Sequence, residues 1–115
     1  MSLHLTPAMA ETAYEFLRTC KPFAPLKLPD ADESEFRITK HSTVAGTGWE
    51  EGDRAGIDLS LCLHGLIYPT FFLTMVHEMI HLWQIRAGRA PNHNSEFRRK
   101  AKSVCRYFGF DERVF

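Results

Sequence analysis

No two cysteines in this sequence lie close enough to clamp a metal or open a disulfide framework. Cys20, Cys62 and Cys105 are odd in number and widely spaced, with no C-x-x-C pair among them. That argues against a zinc ribbon and against a stapled secreted scaffold, and it suits a reducing cytoplasm, which is the expected compartment. Long apolar runs are also missing, since no window reaches the roughly 20 residues that a membrane span needs. The opening "MSLHLTP" has neither the basic start nor the apolar stretch of a secretory signal. Repeats, low-complexity segments and a linker long enough to divide domains are absent as well. The expectation is a single domain over residues 1–115, large enough to bury its own core.

Net charge is absent overall but not locally. Fourteen basic residues balance fourteen acidic ones, yet from Arg86 onward eight basic residues face only Glu96, Asp111 and Glu112. The C-terminal quarter is a positive pole on a neutral chain.

Periodicity supplies the elements. "TPAMAETAYEFLRTC" reads as a first helix, capped by Thr6, with Pro7 in its first turn and Ala10, Ala13, Tyr14 and Leu17 on one face. "KPFAPLKLPDADES" carries three prolines and is expected to be an irregular connector. Three short strands follow in "EFRITKHS", "VAGTGWE" and "AGIDLSL", the last ending near Ser60, with "EGD" as a turn signal. A long helix is expected from about Thr70 to Ala87, closed by Gly88. The last helix starts at Asn94 or Ser95, repeats Phe97, Ala101, Val104, Cys105 and Phe108 on one side, and ends at Gly109. The fold class implied is α+β: an N-terminal helix, a small three-stranded sheet, a long helix and a C-terminal helix. Phe16, Phe36, Phe71, Phe72, Trp83, Phe97 and Phe108 are the expected aromatic core, while Trp49 could flank a cleft.

The long helix carries "MVHEMIHLWQ", Met75 to Gln84. At about 100° per residue His81 falls roughly 40° from His77, with Glu78 on the flank beside them. Two imidazoles one turn apart can reach one cation while a carboxylate is held next to it, as a zinc site with a general base requires. Phe71, Phe72, Met75, Val76, Met79, Ile80, Leu82 and Trp83 cover most of the remaining circumference, so the helix should be buried on most sides. The polar break of Thr74, His77, Glu78, His81 and Gln84 would be costly to bury unpartnered, and should line a cleft or bind something. A surface helix with incidental histidines would show a broad polar face, which this one lacks.

Two residues compete for the third ligand. His93 lies twelve residues beyond His81, and Gly88 permits the reversal that would return its loop over the metal. Glu96 lies in the first turn of the last helix, where an acid is favoured in any case by the macrodipole. His93 is therefore preferred. His4, His41 and His64 have no diagnostic spacing. Tyr68, Tyr107 and Arg89 are open candidates for a second electrophile.

"HEMIHLWQ", a following glycine and "HNSEF" resemble the SprT-like zinc metallopeptidases, the family of the Spartan proteases that digest proteins crosslinked to DNA. Its pattern is H-E-x-x-H, a spacer, then His-Gly-x-x-Phe opening the next helix. The resemblance spans Gly56 to Phe108 and implies a zincin-like minimal metallopeptidase. Its Zn²⁺ would be held by His77, His81 and His93, with Glu78 as base toward a zinc-activated water and Phe97 as anchor. "GIDLS", Gly56 to Ser60, resembles the family strand that rims the cleft and pairs with an extended substrate. Asn94 stands where the family has glycine, and no four-cysteine zinc ribbon follows before Phe115, so a minimal catalytic core is expected. The implied activity is an endopeptidase acting on a protein or peptide substrate.

The basic last helix adds a second function class. Arg98, Lys102 and Arg106 form a stripe with Arg99 beside it, which could contact DNA phosphates or could be a solvated face. The alternative to a protease is thus a zinc-binding, DNA-associated or scaffold protein with little or no peptidase activity.

Overall fold

The computed structural model describes residues 6–39, 46–60 and 68–115, with the backbone alone at 68–70 and 114. The elements are α1 (Pro7–Thr19), β1 (Glu35–Thr39), β2 (Gly46–Glu51), β3 (Arg54–Ser60), α2 (Tyr68–Arg86) and α3 (Ser95–Phe108), with short 3-10 turns between them. The expected α+β order stands, and α2 starts slightly before Thr70. The ends of the first expected strand past Thr39, the start of the second before Gly46, and Leu61 lie outside the described residues.

Local chemistry sets the element ends. The Thr6 hydroxyl accepts from the Met9 N–H at 3.2 Å, and Pro7 occupies the first turn of α1. Gly88, at φ +80°, closes α2: its N–H donates to the Ile85 carbonyl, and the Arg89 N–H reaches back to Gln84. Gly52, at φ +64°, opens the two-residue turn joining β2 to β3.

The sheet order is β1-β3-β2, with β3 parallel to β1 and antiparallel to β2. This corrects one expectation. The strand ending at Ser60 was expected to rim a cleft and pair with substrate, but β1 and β2 take both of its edges. Phe36, Ile38, Ile57, Leu59 and Gly48 share one face by register, and α1 and α2 pack there. The approach of α2 to β2 is close enough to require glycine: a Cβ at Gly48 would lie 2.8 Å from the Glu78 carbonyl oxygen.

The core is built from Ala10, Tyr14 and Leu17 of α1, Ile57 and Leu59 of β3, the apolar coat of α2, and Phe97 and Val104 of α3. Two aromatic positions depart from expectation. Phe16 is 63% exposed, because on the α1 wheel it lies about 110° from the stripe of Ala10, Ala13, Tyr14 and Leu17. Phe23, in the proline-rich connector, is fully buried instead and packs toward Phe108. Trp49 sits on the opposite sheet face from α2, its indole N–H donating to Asp58 at 2.9 Å and its ring under Arg37. It does not flank the histidines.

Candidate metal centre

His77 and His81 project from successive turns of α2, and the reversal at Gly88 brings His93 back onto them. The Nε2 atom of His93 lies 3.1 Å from that of His77 and 3.2 Å from that of His81. The three residues each offer one ligand atom within 4.8 Å of the others, and no fourth histidine, cysteine or carboxylate joins them among the described residues. Zinc–nitrogen bonds of about 2.0–2.1 Å separate neighbouring tetrahedral ligands by about 3.3 Å. Both spacings from His93 are close to that edge, so the three residues suit a tetrahedral cation with three protein ligands.

Glu96 is elsewhere. Its carboxylate accepts from the Arg89 guanidinium at 2.9 Å, an ion pair that needs no metal. The same contact, with the Trp83 ring 5.2 Å away, occupies Arg89. Tyr107 is exposed on the far end of α3, and the Tyr68 side chain, His4, His41 and His64 lie outside the described residues.

The walls are aromatic and apolar. Phe97 stacks on His81 with centroids 4.7 Å apart and lies 5.0 Å from His77 and 4.7 Å from His93. Phe115 covers His77 from another side at 5.1 Å, a contact that no periodicity announces. Burial in these surroundings holds the His77 pKa down to about 4, with repulsion from His81 and His93 adding to the effect. Burial lowers that of His81 too, against a hydrogen bond to Gln84 that raises it. Both rings therefore stay neutral, the form in which imidazole ligates.

Glu78 is only 8% exposed. One carboxylate oxygen accepts from the Gly48 N–H of β2 at 3.1 Å. Burial pushes its pKa up to about 7, against that bond. Its other oxygen has no protein partner among the described residues.

Gln84 is a residue whose role the sequence pattern did not reveal beyond its place in the polar stripe. It is fully buried, accepts at Oε1 from His81 at 2.9 Å, and donates from Nε2 to the Asn92 carbonyl at 3.1 Å. Asn94, which stands where the resembled family has glycine, caps α3 by accepting from the Phe97 N–H at 3.0 Å. Its φ of −77° is one that any residue adopts, so glycine is not required there.

On α3, Arg98, Arg99, Lys102 and Arg106 are exposed and make no ion pair among the described residues. Arg99, Lys102 and Arg106 line an open groove of about 680 Å³ together with Lys21, Lys100 and Tyr107. Lys21 comes from the connector, so only the tertiary fold adds it to the basic stripe. No described helix is long and apolar enough to cross a membrane. Comparison with known proteins finds no matching family model, curated protein or solved structure.

Proposed function

We propose that this chain is a zinc-dependent metallopeptidase of the SprT-like kind, with His77, His81 and His93 as ligands and Glu78 as general base. The observation that carries the reading is the convergence of three imidazole nitrogens, with the buried carboxylate of Glu78 next to His77 on the same helix. Four protein ligands are usual for a structural zinc, whereas three ligands and an adjacent base suit a hydrolytic one. Bound there, zinc supplies Lewis acidity toward a water and the scissile carbonyl.

The chain's own residues then do the following. The Gly48 N–H anchors one oxygen of Glu78, leaving the other to take a proton from the attacking water and return it to the leaving amine. A pKa near neutrality suits both directions of that transfer. Phe97 and Phe115 pack against the His77 ring and help fix its orientation. A peptide that adds to the sheet must join an edge strand, and β2 is the one that carries Gly48 next to Glu78.

The test is hydrolysis of an unfolded model protein, followed by mass spectrometry of new termini. Zinc-loaded protein should cleave it, and chelator should stop the reaction. Glu78→Gln should keep zinc and lose cleavage. Undiminished cleavage by Glu78→Gln would remove this mechanism.

A second reading rests on the basic groove: contact with a nucleic-acid backbone through Arg99, Lys102 and Arg106, with Lys21 beside them and Arg98 exposed on the same helix. It is compatible with peptidase activity. Binding to a short DNA duplex should weaken steeply with salt and fall in Lys102→Glu/Arg106→Glu. Salt-independent binding, or none, would count against it.

A further inference from the structure

We infer that Gln84 is a positioning residue that locks His81 in one tautomer and fastens the loop carrying His93. The inference rests on the metal reading above for its purpose, but its geometry stands on the amide itself. A side-chain amide is fixed by what its two ends meet. One end of Gln84 faces the main-chain carbonyl of Asn92 at 3.1 Å, a group that can only accept. The same end faces Oδ1 of Asn94 at 3.4 Å, an oxygen already accepting from the Phe97 N–H. The donating NH₂ therefore belongs at that end, and the carbonyl Oε1 at the other.

That orientation settles the ring. Oε1 lies 2.9 Å from Nδ1 of His81 and can only accept, so Nδ1 carries the hydrogen. In the neutral imidazole Nε2 is then unprotonated, and its lone pair faces the point where His77 and His93 converge. One fully buried amide thus aims one ligand from within α2 and ties down the segment that delivers another. Because Gln84 is one turn beyond His81, both tasks are done from the same helix face. Asn94 joins this arrangement by linking the amide to the start of α3, where Phe97 packs under all three imidazoles. Neither glutamate nor leucine at position 84 could do both jobs: the first has no donor for Asn92, and the second has neither group.

The direct test is the tautomer of His81 in metal-free wild type, read from imidazole nitrogen shifts by two-dimensional NMR at pH 8. Zinc affinity is measured alongside by chelator competition. The Nδ1–H form alone is expected, as is a zinc affinity lowered about 10–100-fold in Gln84→Leu. Gln84→Glu should keep the Nδ1–H form while still losing affinity, because only the hold on the His93 loop is broken. An Nε2–H form, or exchange between the two tautomers in wild type, would overturn the inference even if zinc binds. Wild-type affinity in a folded Gln84→Leu would overturn it too. An Nδ1–H form in a wild type that takes up no zinc would instead overturn the metal reading, leaving the tautomer lock in place.

Discussion

Two polar clusters lie beside the core, and only one is self-sufficient. Where α1 meets the connector, the Tyr14 hydroxyl donates to the Pro29 carbonyl at 2.6 Å. Glu15 pairs with Arg18 and accepts from the Ala31 N–H, while Arg18 reaches Asp30 at 3.2 Å. Each of these charges meets its opposite, and the Tyr14 hydroxyl and the Ala31 N–H each meet an acceptor. On the polar stripe of α2 the histidines instead bring like to like, with imidazole nitrogens 3.1 and 3.2 Å apart and no carboxylate among them. Burial also keeps His77 and His81 from becoming cations. A complementary knot explains itself as structure, whereas three converging imidazole nitrogens form a donor set that can hold a cation.

The largest effect should come from the incomplete cluster. Glu78→Gln is expected to lower peptidase kcat/KM by about 10²–10⁴-fold with zinc content unchanged, as checked by steady-state kinetics beside metal analysis. Its amide can still accept from the Gly48 N–H, so the loss would be one of proton transfer rather than of folding. Packing comes next. Gly48→Ala should cost about 1–3 kcal/mol in urea unfolding, because the new Cβ meets the backbone of α2 at Glu78 and Leu82. A neutral result would mean that β2 does not approach α2 as described.

The self-sufficient cluster should answer to pH and not to zinc. Burial raises the Tyr14 hydroxyl from its usual 10 to about 12, with the bond from Ser34 and the positive charges of Arg18 and Arg86 opposing. The folded state therefore holds the Tyr14 proton more tightly than the unfolded state does. This contribution is complete below pH 10 and is lost as pH rises toward 12. Tyr14→Phe should flatten that alkaline fall, cost about 1 kcal/mol at neutral pH and leave zinc affinity unchanged. The smallest effect is expected on the outer sheet face, where Arg54 pairs with Glu35 in solvent. Arg54→Ala should move neither the urea midpoint nor zinc affinity measurably.

Much of this molecule is legible where information is local. The spacing of His77, Glu78 and His81 fixes their common helix face, Thr6 and Pro7 mark the start of α1, and Gly88 and Gly109 mark where α2 and α3 end. The position of His93 is legible in part, since a loop after Gly88 is free to return but sequence does not fix where it lands. Strand order was not legible: β1 and β3 pair across the whole β2 segment, and alternation along a strand says nothing about which neighbour it takes. Phe16 and Phe23 show a related limit. Residue type places Phe16 inside, whereas the wheel of α1 turns it outward; the irregular connector gives Phe23 no periodicity, and only the fold buries it. The glycine at 48 and the amide at 84 gain their meaning only from what lies across from them.

The most direct measurement of the central claim is bound zinc per chain by mass spectrometry of metals, on wild type, His93→Ala and Glu96→Ala. The account predicts about one zinc per wild-type chain, lost in His93→Ala and kept in Glu96→Ala. A folded wild type that takes up no zinc, or a zinc that survives the loss of His93, would contradict it.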